Sequence, residues 1–349
     1  MKYRETQQDI PQIAKELSVD HILEGSVNRS GNLLRITVHL IQTNNNSTLW
    51  AEKAIELDSS YALAYAELVR IYEVHYIRTE NPSDIKQMLL FAEQAYQINP
   101  NLIETLRAKH VAHFNNNEYQ KAYFFIKKAF DLNPNDFATN YALEMFFGRL
   151  GFFHEASEYE QRALQVNPLA FDIYYDRAFN FTMLGQLDGA KENYQKCLEI
   201  KSDTIECMIG LCEVFIYMKD YPRAEAMLNR AESLKPPGDS GLSIYIQRFR
   251  ALYYAAIGNA DKALELEKSY RIYAMLGMPN EALADMRIVL AEKDLKQELR
   301  LSYLGLTTIP LFDSIRSDSR FQEIIQKRKT DDEKLLSDLK RGAKPNNNP

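Results

Sequence analysis

Between about residues 53 and 292 the apolar positions follow a helical period, and small and bulky side chains return in a fixed register. In 171–204, Leu184-Gly185 closes one helix and Ala190 opens the next, with Tyr194, Cys197, Leu198 and Ile200 on its apolar side before a turn at Lys201-Ser202. One period upstream stand Leu150-Gly151, Ala156, Ala163, Val166 and Asn167-Pro168; one period downstream stand Ala224, Leu228, Ala231, Leu234 and Pro236. Pro100, Pro134 and Pro168 are each 34 residues from the next, and Ser202 and Pro236 continue the series. Small residues let two helices approach, bulky ones fill the gaps, Gly ends the first helix and Pro stops the second. The pattern predicts helix pairs over 62–102, 103–136, 137–170, 171–204 and 205–238, and a looser pair from Ile244. Seven extra residues in the first pair are assigned to the polar stretch 78–84, and about five more fall around 237–241.

The period changes at both ends. Residues 9–17 read as a helix, with Ile10, Ile13, Ala14 and Leu17 on one face. Two strand-like runs follow over 21–27 and 33–41, joined by a polar turn at 28–32, and a third short strand is expected around Thr48-Leu49-Trp50. After the repeats, Phe312, Ile315 and Phe321 are expected to cover the last apolar face while Arg316 and Asp318 fix a turn. The chain divides into a strand-bearing segment over 1–52, the repeats over 53–292, a capping segment over 293–329, and a charged, disordered tail over 330–349.

The repeating unit resembles the tetratricopeptide repeat, a 34-residue helix pair that stacks into a solenoid. The implied fold is mainly α, a helical solenoid of about six pairs, with a small partial α/β segment at the N-terminus. Ile13-Ala14-Lys15-Glu16-Leu17, Leu23-Glu24-Gly25-Ser26-Val27, Arg35-Ile36-Thr37 and Leu49-Trp50-Ala51-Glu52 resemble, in order, the end of a TolB-like domain. Bacterial proteins of that kind place the domain before tetratricopeptide repeats and after a cyclase or a DNA-binding helix-turn-helix domain. The family's opening strand, helix and second strand would lie before Met1, which makes the segment a truncated member or one that completes its sheet with another chain. In the repeat family the first helix of each pair lines a concave surface. Carried onto this sequence, those positions and their neighbours are Arg107, Phe114, Tyr141, Met145, Arg149, Tyr175, Phe179, Tyr217, Tyr245 and Arg248. Aromatic rings beside isolated arginines suit a peptide. Chaperone-binding relatives hold a C-terminal carboxylate with Lys and Asn; Ala66, Arg70 and Ala108 stand in those places here, which disfavours that role.

A net charge of −6 argues against nucleic acid as the ligand. Three cysteines without a Cys-x-x-Cys spacing read as reduced, structural thiols, with Cys197 and Cys212 at positions where the repeat takes small residues. No apolar run is long enough to span a bilayer and the start is no signal peptide, so a cytoplasmic location without membrane attachment is expected. His110 and His113 share a helix face but have no Cys or carboxylate partner close in sequence, and no metal or other cofactor is implied. Neither a phosphate-binding Gly-rich loop nor a Gly-x-Ser-x-Gly elbow occurs. The expected function is a non-catalytic scaffold holding a protein or peptide in its groove, in a bacterial signalling or assembly complex, with self-association through the N-terminal strands. The alternative is a truncated regulatory portion of an adenylate or guanylate cyclase or of a helix-turn-helix transcription regulator.

Overall fold

The computed structural model describes residues 21–30, 33–42, 47–48, 50–292 and 298–342. Strand β1 (His21–Ser30) runs antiparallel to β2 (Leu33–Gln42), with His21 opposite Gln42 and Ser30 opposite Leu33. Strand β3 (Ser47–Thr48) pairs with the far end of β2. Trp50, read from the sequence as part of a third strand, instead opens helix α1 (Trp50–Leu57). The helix expected over 9–17 lies outside the described residues.

The repeats form seven helix pairs, one more than expected, because the region after 238 resolves into two pairs. They are α2 (Ala62–Thr79) with α3 (Pro82–Ile98), α4 (Ile103–Asn115) with α5 (Tyr119–Leu132), and α6 (Phe137–Arg149) with α7 (Phe153–Val166). Next come α8 (Phe171–Met183) with α9 (Leu187–Ile200), and α10 (Ile205–Tyr217) with α11 (Tyr221–Leu234). Last are α12 (Ser240–Ala256) with α13 (Ala260–Leu266), and α14 (Tyr270–Met275) with α15 (Pro279–Glu292).

Two sets of small residues hold the register. Ala122, Ala156, Ala190 and Ala224 are fully buried one period apart, and so are Ala129, Ala163, Cys197 and Ala231. The backbone repeats with them: Asn117, Gly151, Gly185 and Lys219, at φ 59°, 81°, 70° and 60°, close the first helix of successive pairs in the left-handed conformation. Helix starts are capped by side chains, with Asn81 accepting from the Ser83 amide, Asp136 from Thr139 and Asp239 from Leu242. The extra residues of the first pair lengthen its helices to 18 and 17 residues, against 13 and 14 in the second pair. Asn81-Pro82 is a strong helix-start signal, so most of the polar 78–84 stretch is helical.

The chain divides into two compact units, 1–132 and 133–349. In the second, one apolar core runs from Phe153 on α7 to Ile325. It includes the C-terminal segment, formed by a 3-10 turn (Leu299–Leu301), α16 (Tyr303–Thr308), a second turn (Pro310–Phe312) and α17 (Ser319–Gly342). Phe312, Ile315 and Phe321 are buried, with Phe312 stacked 6.2 Å from Tyr270. Arg316 donates to the Leu306 and Ile309 carbonyls at 2.6 and 2.7 Å. The segment does more than cover the last pair: the Thr308 hydroxyl donates to the Met183 carbonyl, and Lys340 lies 3.6 Å from Glu155 on α7. Residues 330–342, assigned from the sequence to a disordered tail, are helical, with Leu339 fully buried. Residues 343–349 lie outside the described residues.

Cys197 and Cys207 form a disulfide, with Cα atoms 6.5 Å apart, in place of the reduced thiols expected from the sequence; Cys212 is free and buried. Cys197 sits near the end of α9 and Cys207 near the start of α10, and the turn between these helices brings the two residues together. The cysteine-based ground for a reducing, cytoplasmic setting falls away with this bond. Among the described residues, no helix is long and apolar enough to cross a membrane.

Candidate functional site

In the first unit, Arg107 is half-buried on α4, whereas Phe114 is buried, its ring 6.0 Å from His110 and 5.7 Å from Tyr119. Phe114 is therefore a core residue, not a surface one, because the end of α4 turns it towards α5. His110 and His113 do not converge on a shared site. His110 Nδ1 lies 3.1 Å from the Ala122 carbonyl, and His113 Nδ1 lies 2.8 Å from Glu118 with its ring stacked on Phe125. Burial holds the His113 imidazole below its usual pKa even though Glu118 opposes it.

In the second unit the candidates fall into two groups. Tyr141, Met145 and Arg149, on α6, are half-buried beside an acidic cluster. There Asn180 donates to Glu144 Oε1 at 3.3 Å and to Glu160 Oε1 at 2.6 Å, while Arg177 lies 3.8 Å from Glu160. Asn180 occupies the register place that Phe146 and Val214 hold in neighbouring pairs, so its amide sits in the core and ties two buried acids together. Burial pushes Glu160 and Asp176 up to about 7 each. Burial, with the nearby charges of Asp176 and Glu160, raises Glu144 well above the usual carboxyl range. Burial and then the charge of Asp176 raise the Tyr141 hydroxyl as well, so it stays a donor.

The other group converges. Tyr175, Phe179, Tyr245 and Arg248 wall one cavity of 280 Å³, contributed by α8 and α12. At its base Gly210 leaves no room for a side chain: an added Cβ would lie 2.2 Å from the buried Tyr194 ring. Glu213, 2% exposed, is the cavity's electrostatic centre. Arg300, from the C-terminal segment, grips it in a fork, Nε to Oε1 at 3.0 Å and Nη2 to Oε2 at 2.7 Å. Tyr217 is buried, and its hydroxyl donates to Glu213 Oε1 at 2.8 Å. Burial alone would raise the Glu213 carboxyl, but the Arg300 charge and hydrogen bonds outweigh it and hold the group below its usual pKa.

Arg271, Phe249, Glu298 and Arg300 also line this cavity and escape a reading by repeat register. Helix α14 starts 30 residues after α12, so the period slips just before Arg271, and Arg300 comes from beyond the repeats. A carboxylate at Glu213, in the middle of the apolar run Ile205–Tyr217, was the available signal that a cation must come from elsewhere. Chemically the cavity offers aromatic faces, an exposed arginine and a buried ion pair. Among the described residues, no group of three or more His, Cys, Asp or Glu side chains is placed to hold a metal ion.

The tetratricopeptide repeat family model matches residues 171–204. Among solved structures, a tetratricopeptide repeat protein from Parabacteroides merdae superimposes with a TM-score of 0.51 at 16% identity, covering 67% of this chain and 96% of its own. PilW, a type IV pilus biogenesis factor, gives a TM-score of 0.49 at 15% identity over 66% of this chain and 96% of its own. YrrB, a tetratricopeptide protein with an unusual peptide-binding site, gives 0.41 at 18% identity over 57% of this chain and 97% of its own. No curated protein matches the sequence. The repeats have the tetratricopeptide solenoid fold.

Proposed function

We propose that the chain is a non-catalytic scaffold that holds a peptide segment of a partner protein at the cavity formed by α8, α10, α12 and the C-terminal segment. The observation that carries this reading is the convergence of Tyr175, Phe179, Tyr245 and Arg248 around one cavity. Two half-buried tyrosines and a phenylalanine supply rigid contact area with little entropy to lose, and Arg248 supplies a charged anchor at the rim. The tetratricopeptide fold of the repeats supports the same reading. The TolB-like resemblance of the segment before residue 53 supports a place in a bacterial signalling or assembly complex. Binding of a fluorescent random-peptide library, measured by anisotropy on the full chain, tests it. Wild type retains a subset of peptides, and Tyr175→Ala with Arg248→Ala weakens them by about tenfold or more. Retention unchanged in that double variant, with its helical content intact, would remove the cavity from the function.

A further inference from the structure

Three closely spaced residues leave buried polar atoms with no hydrogen-bond partner among the described residues: Glu267 Oε2, Ser269 Oγ, and Nε and Nη2 of Arg271. All three, with Tyr270, wall a cavity of 460 Å³, which shares Arg248, Arg271 and Glu298 with the cavity that Tyr175 and Phe179 line. Tyr270 is 2% exposed and Arg271 8%. Folded proteins strand few such atoms, since each costs the loss of its hydration, so four gathered on one cavity wall mark a surface shaped for a polar occupant.

The chemistry of that occupant follows from which atoms are left. Nε and Nη2 form one edge of the guanidinium fork, the edge that grips both oxygens of a carboxylate. Nη2 of Arg271 also faces Glu213 Oε1, beyond hydrogen-bond reach, so its charge is only partly engaged there. Its ion pair with Glu213 is long, at 3.9 Å, and Glu213 is already held by Arg300 and Tyr217. The guanidinium is steadied in place 4.8 Å from the Phe249 ring. Glu267 Oε2 asks for the opposite partner, an N–H donor. A free carboxylic acid answers Arg271 but not Glu267, whereas a peptide residue with a side-chain carboxylate and main-chain amides answers both.

We infer that the Arg271 cavity seats the side-chain carboxylate of an aspartate or glutamate in a bound peptide, with a neighbouring apolar residue of that peptide against Tyr175 and Tyr245. This rests on the peptide-binding reading above and adds the residue class it selects. The seat lies in the sixth and seventh helix pairs, where the repeat register slips before Arg271.

The test compares labelled peptides carrying an aromatic residue beside a central Glu with the same peptides carrying Gln, on the full wild-type chain and on Arg271→Gln and Arg271→Lys. The Glu peptides are expected to bind about tenfold or more tighter than their Gln counterparts, as loss of a charge-assisted pair implies. Arg271→Gln is expected to abolish that discrimination and Arg271→Lys to keep part of it. Equal binding of Glu and Gln peptides by wild type overturns the carboxylate seat while leaving peptide binding intact, and this comparison needs no variant to fold. If no peptide binds but sodium succinate raises the melting temperature of wild type and not of Arg271→Gln, the seat for a carboxylate stands and the peptide reading falls. If neither occurs, both fall.

Discussion

Glu213 shows how one residue sets its surroundings. A carboxylate at 2% exposure survives because Arg300 and Tyr217 satisfy both of its oxygens. Removing the cation while leaving the acid is therefore the severe change. Arg300→Ala is expected to lower the unfolding free energy by about 3–5 kcal/mol, measured by denaturant titration, because it strands a buried charge. Neutralising both partners, Glu213→Gln with Arg300→Gln, is expected to recover part of that loss. A double variant no more stable than Arg300→Ala would show that the pair is not what holds the C-terminal segment in place.

Among elements, what could be read from the sequence depended on whether a contact was local. Ala122, Ala156, Ala190 and Ala224 lie one period apart because helix approach admits nothing larger, so the second helices of those pairs were legible from residue type alone. Tyr175, Phe179, Tyr245 and Arg248 line one cavity. Phe114, at a register position, and Tyr217, one place beyond one, are buried, since the period fixes the side of a helix and not the depth of its neighbours. Arg271 was hidden by the slip before α14, and the Cys197–Cys207 bond because Cys197 fits the small-residue position of its helix and no Cys-x-x-Cys spacing marks a pair. That bond joins the second helix of one pair to the first of the next across 10 residues of sequence. Its reduction is expected to cost about 2–3 kcal/mol through the freed unfolded chain. Denaturant midpoints with and without reductant check this, and identical midpoints, with thiol titration confirming complete reduction, would contradict it.

At the scale of the whole molecule, the buried acids of the third and fourth pairs give the stability a pH slope. Glu160 and Asp176 rise from ordinary values of 4.5 and 3.8 to about 7, so the folded chain binds more protons than the unfolded chain in that window. Stability contributed by these groups is full below about pH 4 and is lost as pH rises through about 7. Glu118 and Asp318, held down to about 2 by hydrogen bonds from Lys121 and Arg320, act in the opposite sense, losing their contribution only in stronger acid. The melting temperature is thus expected to rise between about pH 8 and pH 5.5, and Glu160→Gln to flatten that rise. A melting temperature that falls over this range would refute the assignment.

The grip of Arg300 on Glu213 spans 87 residues of sequence, which gives the molecule a history as well as a structure. A ribosome makes Glu213 long before Arg300. While the later repeats are being synthesised, the fifth helix pair carries an acid whose partner does not yet exist, and α10 cannot close dry around it. Packing at Glu213 therefore waits for translation to pass residue 300, so the centre of the second unit is among the last parts of the newborn chain to become solid.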